Sequence, residues 1–165
     1  MVQVKHVILL LFLIKLSSAQ AQSIDDALSK YLKNDVPTLQ VNELKANFEE
    51  YLLLDAREYE EFIVSKIEGA IFVGHSNFKI EEIQQMNLSR KQNIVVYCSI
   101  GVRSEEVARK IQQQTSHQVY NLYGGIFEWK NKLNPIYDQN NRITEKVHAY
   151  SKKWSKYLKN AEIIY

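Results

Sequence analysis

Hydrophobic and polar residues alternate along this chain in short blocks that predict strands and helices in turn. Five apolar runs predict strands, at residues 38–41, 51–55, 69–73, 94–97 and 119–122. Six further segments carry apolar residues at helical spacing and predict helices, at residues 24–33, 43–48, 58–64, 80–86, 104–115 and just after 124–125. Strands that alternate with helices at such short spacing are typical of one α/β domain with a parallel sheet.

The stretch from residue 94 to residue 104 carries the candidate chemistry. A buried strand at 94–97 is followed by Cys98, by a loop containing Gly101, and by a helix whose predicted N-cap is Ser104. At this junction, backbone N–H groups and the helix dipole favour a thiolate and attract an anionic substrate. Open α/β sheets also bind their ligands at this edge. Cys98 is therefore the candidate nucleophile, and the alternative is a small buried hydrophobic residue.

The residue inventory limits the chemistry further. Cys98 is the only cysteine of the 165 residues, so the chain has no internal disulfide and no C-x-x-C motif for dithiol exchange. Beyond residue 21 the histidines are His75, His117 and His148, whose spacing is unlike that of metal ligands. We expect neither a metal ion nor another cofactor.

Four segments between about residues 38 and 137 resemble those of the single-domain rhodaneses, the thiosulfate-type sulfurtransferases. Residues 55–62 resemble the family's D-x-R-x-x-x-E-[FY] segment, and residues 67–70 resemble its I-x-G-A segment. Residues 98–104 resemble its active-site loop, C-x-x-G-x-R-S, and residues 124–129 resemble its closing G-G-x-x-x-W signature. Two positions depart from the family pattern. Lys66 replaces a frequent histidine, and Ser99 replaces a frequent arginine, a loss of charge that we expect to lower affinity for thiosulfate.

The resemblance implies a fold and a reaction. The fold is a three-layer α/β arrangement with a five-stranded, mainly parallel sheet, helices on both faces and an added C-terminal helix. In the reaction, Cys98 attacks the outer sulfur of a thiosulfate-like donor and becomes a persulfide, which passes its sulfur to a thiol or to cyanide. The loop backbone would bind this anion through the residues that follow the cysteine, namely Ser99, Ile100, Gly101, Val102 and Ser104.

The remaining polar residues of these segments have narrower predicted roles. Arg103 is the second predicted catalytic residue, because it would hold the donor's sulfonate or offset charge at the loop; the alternative is a surface ion pair with Glu106 or another neighbour. Ser104 alternatively serves only as a helix cap. Asp55 and Arg57 are interpreted mainly as structural residues behind the site that tie loops together.

The first 21 residues have the pattern of a secretory signal peptide. Lys5 precedes an apolar run at 7–14, and residues 19–21 form a small-x-small cleavage site. We expect an exported protein, periplasmic or extracellular after cleavage, although Lys15 leaves an uncleaved interfacial anchor as an alternative. Removing the segment leaves 19 basic and 19 acidic residues, so nucleic-acid binding has no electrostatic support.

The C-terminal tail is predicted to be a separate helix from Thr144 to Asn160. Its apolar residues lie on one stripe and its lysines flank that stripe. A partner-binding or membrane-surface helix is one interpretation. The favoured alternative is a helix docked on the domain, with its lysines in water.

Taken together, these patterns divide the chain into four predicted parts: a signal peptide at 1–21, a helix and linker at 22–37, the rhodanese-like domain at 38–137, and a helical extension at 138–165.

Two other functions remain as alternatives. A cysteine phosphatase also uses a thiolate in an anion-binding loop, but its signature has arginine six residues after the cysteine, where this chain has Ser104. A non-enzymatic rhodanese-like binding or sulfur-relay module is the second alternative, and inactive modules of that kind typically lack the cysteine. The expected partners are a small sulfur donor and a thiol acceptor, or a sulfur-acceptor protein, around a monomeric chain that binds no nucleic acid.

Overall fold

The computed structural model describes residues 23–89 and 92–165, so the predicted signal peptide lies outside the described residues. Its central element is a five-stranded sheet with the order β1-β5-β4-β2-β3, and every neighbouring pair is parallel. The strands are β1 (Thr38–Leu39), β2 (Tyr51–Asp55), β3 (Ile71–Phe72), β4 (Asn93–Tyr97) and β5 (Val119–Leu122). β4 lies at the centre, because it pairs with β2 from Tyr51–Asn93 to Asp55–Tyr97 and with β5 on its other edge.

Alternating side chains of the central strands divide the interior into two cores. Leu53 and Val95 belong to one core, while Leu54 and Val96 belong to the other. All four are buried, as expected for parallel strands that are covered on both faces.

Helices cover each face of the sheet. The first face is covered by α1 (Ile24–Tyr31), α2 (Val41–Ala46) and α6 (Gly125–Asn131). The second face is covered by α4 (Ile80–Gln85) and α5 (Val102–Gln114), whereas α3 (Tyr59–Val64) lies near the end of β2. The predicted α/β fold, with a five-stranded parallel sheet and helices on both faces, is confirmed.

The N-caps show where local signals predicted helix starts and where they failed. Ser23 caps α1 with a capping box: the Ser23 hydroxyl accepts from the Asp26 N–H, and the Asp26 carboxylate accepts from the Ser23 N–H. The predicted cap at Ser104 is wrong: α5 begins at Val102. Gly101 precedes the helix with φ of 115°, and this conformation lets the chain turn directly from the loop into the helix.

The helix predicted from Thr144 to Asn160 is much shorter than expected. Its helical part is only α7 (Lys152–Ser155); Thr144 and Lys146–His148 lie in strands, and the rest is turn or irregular backbone. A short antiparallel ladder joins β6 (Ile136–Tyr137) to β7 (Ile143–Thr144), and a parallel one joins β8 (Lys146–His148) to β9 (Glu162–Ile164). Pairing with β9 holds the chain extended where the local pattern favoured a helix, so tertiary contacts overrode helical periodicity.

The extension from residue 138 onward is nonetheless part of the domain. Val147, Ala149, Tyr157 and Leu158 are buried in the first core, and β8 contacts α3. The docked interpretation therefore agrees with the structure in its placement of this segment, though not in its secondary structure. Across residues 23–89 and 92–165, we find no helix whose length and apolar composition would let it cross a bilayer.

Candidate active site

Cys98 follows β4 immediately and lies at the carboxyl edge of the sheet, between the ends of β2 and β5. Its side chain is almost buried, with 2% of the residue exposed. The Gly101 N–H donates to the Cys98 Sγ atom over 3.1 Å, so the loop folds back onto the sulfur. The first N–H groups of α5 have no partners within the helix, which begins one residue after Gly101. The sulfur therefore lies where backbone donors favour a negative charge.

Asn121 of β5 holds the loop from the side of the sheet. Its Nδ2 atom donates to the Gly101 carbonyl over 2.9 Å, and its Oδ1 atom accepts the Ser104 hydroxyl over 2.7 Å. Both Asn121 and Ser104 are buried. Ser104 is thus a clamp between α5 and β5 rather than a cap, and Asn121 is a site residue that the sequence reasoning missed. Its position within an apolar strand was the available signal.

The start of α6 also holds the loop, through two backbone hydrogen bonds. The N–H groups of Ile126 and Phe127 donate to the carbonyls of Cys98 and Ser99 over 2.9 and 3.1 Å. This approach requires glycine at position 125, because a Cβ atom there would collide with the Cys98 carbonyl and lie 2.8 Å from the Ser99 carbonyl oxygen. The G-G-x-x-x-W segment therefore braces the cysteine loop directly.

Arg103 makes a two-point ion pair with Glu61 of α3. Its Nη1 and Nη2 atoms donate to the Glu61 carboxylate over 2.6 and 2.8 Å, and Nη2 also donates to the Ser99 hydroxyl over 2.9 Å. The Ser99 hydroxyl in turn donates to Glu61 over 3.0 Å. The predicted alternative of a pair with Glu106 is not observed, since Glu106 contacts His75 and Lys110.

The titration of this pair follows its burial and its charges. Burial acts to lower the pKa of Arg103, but its hydrogen bonds to Glu61 and its electrostatic interactions with the Cys98 and Glu61 side chains hold that pKa above its ordinary value. Burial acts to raise the pKa of Glu61, yet the hydrogen bonds and charge of Arg103 hold it below its ordinary value. Both groups are therefore charged at neutral pH. Sequence reasoning had included Glu61 only as a motif position, without assigning it a function.

Asp55 and Arg57 form a second ion pair, fully buried behind the loop. The Arg57 Nη2 atom lies 2.6 Å from Asp55 Oδ2 and donates to the Ser65 carbonyl over 2.5 Å. Arg57 thereby connects the end of β2 to the segment that follows α3. Neither residue lines the pocket at Cys98, so their placement is that of structural residues.

A pocket of about 230 Å³ opens over the cysteine. Five of its lining residues come from the loop and the start of α5, namely Cys98, Ser99, Ile100, Val102 and Arg103. The other two are Tyr150 and Trp154, from the C-terminal extension. Sequence reasoning missed these two because it interpreted the tail's aromatic residues as one stripe of a helix. Among the described residues there is no cluster of histidine, cysteine, aspartate and glutamate that could hold a metal ion.

The fold and this site define a class of protein: an α/β domain that holds a cysteine at the carboxyl edge of a parallel sheet, in a loop whose Gly101 N–H donates to the sulfur. Residues 40–132 match the family model described as the rhodanese-like domain, and the chain belongs to that family. The chain is 28% identical over 105 residues to the uncharacterized protein YqhL of Bacillus subtilis, a match covering 62% of this chain and 79% of YqhL. It is 30% identical over 118 residues to the tRNA uridine(34) hydroxylase of Pectobacterium carotovorum, a match covering 66% of this chain but only 32% of the hydroxylase.

Solved structures agree on the fold. A rhodanese-related protein from Thermoplasma volcanium superposes with a TM-score of 0.50 at 25% identity, covering 61% of this chain and 96% of the other. The thiosulfate sulfurtransferase of Pseudomonas aeruginosa superposes with a TM-score of 0.59 at 20% identity, covering 74% of this chain and 23% of that one. At this identity the second likeness shows the fold alone.

Proposed function

We propose that this protein is a sulfurtransferase that carries sulfane sulfur as a persulfide on Cys98. The observation that carries the proposal is the position of the Cys98 sulfur, which accepts the Gly101 N–H at the base of a pocket beside the start of α5. Membership of the rhodanese-like family supports it at the level of the class. The alternative of a cysteine phosphatase has no comparable support, since Ser104 is turned to Asn121 instead of facing a phosphate.

The reaction proceeds in two displacements at sulfur. In the first, the Cys98 thiolate attacks the outer sulfur of a donor such as thiosulfate; a new S–S bond forms, the donor's S–S bond breaks, and sulfite leaves with the electron pair. In the second, a thiolate or cyanide attacks the outer sulfur of the Cys98 persulfide, and the Cys98 thiolate leaves. Each step is a displacement without net oxidation, and no proton transfer is needed while the attacking group is a thiolate.

The loop contributes by binding charge before the reaction begins. Its backbone is held by Asn121 and by the Ile126 and Phe127 N–H groups, so its donors need not reorganise when charge moves onto the outer sulfur. The charge of Arg103 is matched by that of Glu61, and its hydrogen bonds are directed to Glu61 and Ser99. In this proposal Arg103 is therefore a positioning residue that ties the loop to α3; the sequence had predicted that it holds the donor's sulfonate or offsets charge at the loop.

Intact-mass spectrometry of the purified protein tests this proposal directly. After incubation with thiosulfate, or with an organic thiosulfonate, the protein should gain the mass of one sulfur atom, and cyanide should remove it. Cys98→Ser, which changes one atom and keeps a residue of similar size, should show no gain while retaining a cooperative unfolding transition. A protein that takes up no sulfur from either donor, with Cys98 still reactive to alkylation, would contradict the proposal and favour the binding-module alternative.

We also propose that the protein is exported, with a thiol as its sulfur acceptor. The support for export is the sequence pattern of the first 21 residues alone. Expression of the full chain followed by fractionation and N-terminal sequencing tests it. A mature chain that begins near Gln22 or Ser23 in the exported fraction is the expected result, and full-length protein confined to the cytosol would contradict it.

A further inference from the structure

Two aromatic residues of the C-terminal extension form the outer wall of the Cys98 pocket. Tyr150 lies in the turn between β8 and α7, with its ring centroid 4.6 Å from the guanidinium carbon of Arg103. Trp154, in α7, packs against Tyr31 and Tyr157 at centroid distances of 5.4 and 5.9 Å. Trp154 is therefore held by aromatic contacts with the domain, and the wall is part of the folded structure.

The backbone at Tyr150 is unfavourable for a residue of this size. Its φ of 61° lies in the left-handed region, which is unfavourable for a bulky side chain and is adopted readily by glycine or asparagine. The Tyr150 N–H donates to His148 Nδ1 over 3.1 Å, which supports this turn. The chain thus holds a large aromatic ring over Arg103 at a position where the backbone favours a small residue. Such strain is found where side-chain placement serves a function.

The charges that line the pocket do not suit a small dianion. The positive charge of Arg103 is paired with Glu61 at two points, so the two side chains sum to zero charge beside the Cys98 thiolate. Ile100 and Val102 add apolar surface. A dianion such as thiosulfate would lose hydration on entry and find no unpaired cation among the lining residues. An apolar group on the donor would instead contact the two aromatic rings.

We propose that Tyr150 and Trp154 determine the class of sulfur donor. The pocket favours organic sulfane-sulfur donors that carry an apolar, preferably aromatic, group and no more than one negative charge, over inorganic thiosulfate. This inference rests on the proposed sulfurtransferase function. For an organic thiosulfonate, the Cys98 thiolate attacks the outer sulfur, an S–S bond forms, the donor's bond between sulfonyl sulfur and outer sulfur breaks, and a sulfinate leaves with the electron pair. Atoms and charge balance without a further reactant.

Three donors separate the effect of charge from that of apolar contact. Benzenethiosulfonate and methanethiosulfonate are monoanions with the same reacting sulfur but different organic groups, and thiosulfate is the dianion. The second-order rate constant for persulfide formation on Cys98 is measured for each by rapid quenching and mass spectrometry. In the wild-type protein we expect the benzene donor to react at least about tenfold faster than the methane donor, and both to react faster than thiosulfate.

Variants of Tyr150 and Trp154 separate the effect of the wall from the intrinsic reactivity of the donors. For each protein, the rate constant of the benzene donor is divided by that of the methane donor, and these ratios are compared between the variants and the wild type. Tyr150→Asn and Trp154→Ala should each lower the ratio of benzene to methane donor by about tenfold, and Tyr150→Phe should preserve it. Since asparagine suits the left-handed backbone, Tyr150→Asn should keep the wild-type thermal midpoint, which separates lost recognition from lost folding. Tyr59→Ala is the matched control, since Tyr59 is 57% exposed, Tyr150 is 52% exposed, and Tyr59 does not line this pocket.

The outcomes distinguish the two proposals. Suppose that a persulfide forms but the ratio of the benzene-donor to the methane-donor rate constant is the same in wild type, Tyr150→Asn and Trp154→Ala. This result would overturn the assignment of specificity to the wall and leave the sulfurtransferase function standing. Failure of all three donors to form a persulfide would overturn the sulfurtransferase function itself.

Discussion

Both Nη atoms of Arg103 donate to the two carboxylate oxygens of Glu61, a residue that lies 42 positions away in the chain. Glu61 is 2% exposed and the Arg103 side chain is 16% exposed, so the pair lies largely out of water. This contact joins α3 to the start of α5 directly beside the cysteine loop. Its contribution can be measured in the unfolding free energy and in the pH dependence of that free energy.

Replacing Glu61 with glutamine should destabilise the protein strongly. Glu61→Gln removes the counter-charge of a largely buried arginine, a change that costs about 3 kcal/mol of unfolding free energy. Urea denaturation measures it. Glu60→Gln is the matched control, because the neighbouring Glu60 is exposed and should change the unfolding free energy by less than about 0.5 kcal/mol. Equal effects of the two substitutions would show that the pair contributes nothing specific.

The Arg103–Glu61 pair should make the unfolding free energy depend on pH in the acidic range. The pKa of Glu61 lies below its ordinary value of 4.5 in the folded protein, so over the window between the two values the unfolded chain binds a proton that the folded chain does not. The stability from Glu61 is therefore fully present above pH 4.5 and is lost as the pH falls through the folded pKa. The difference in unfolding free energy between wild type and Glu61→Gln should narrow from about pH 6 to about pH 3. A difference that stays constant over this range would contradict the lowered pKa.

Gly125 should tolerate alanine far less well than Gly69 does. Both glycines have positive φ, of 52° and 66°, so alanine carries a similar backbone cost of about 1–2 kcal/mol at each. Open space surrounds a Cβ at Gly69, whereas at Gly125 it would collide with the Cys98 and Ser99 carbonyls. Gly125→Ala should therefore cost a further 1–3 kcal/mol or so and slow persulfide formation at Cys98. Urea denaturation measures the unfolding free energy, and mass spectrometry measures the rate of sulfur uptake. Equal losses of unfolding free energy in Gly125→Ala and Gly69→Ala would contradict the close approach of Gly125 to the cysteine loop.

Removal of the extension should unfold the domain. Truncation after Ile143 deletes Val147, Tyr157 and Leu158 from the first core, and burial of a large apolar side chain contributes about 1.5–3 kcal/mol. The sum approaches the whole stability of a typical domain, so we expect loss of the cooperative thermal transition. Val147→Ala should cost about 2 kcal/mol, and Ile143→Ala, at an exposed position, should be nearly neutral. A truncated chain with the wild-type midpoint would mean that the extension packs only weakly.

Short-range patterns were sufficient for the central strands and for the position of Cys98. The apolar runs predicted β2, β4 and β5 within a residue or two, because a strand buried on both faces must be apolar along its length. Cys98 could be placed at the sheet edge because the strand, the loop glycine and the following helix are contiguous in the chain. The start of α5 was predicted two residues late, since Ser104 is a good cap in isolation while Gly101 makes the turn in the fold.

What the sequence by itself determined is therefore the α/β order, the positions of the central strands and the place of Cys98 at the carboxyl edge of the sheet. Tertiary structure alone decided which side chains surround that residue. Glu61 reaches Arg103 across 42 positions and Asn121 reaches Gly101 across 20, and no local periodicity encodes such pairs. In the tail, pairing of Lys146–His148 with Glu162–Ile164 replaced the expected helix and turned Tyr150 over Arg103. Helical spacing reports only which residues would share a face if a helix formed, whereas contacts between distant segments decide whether it forms.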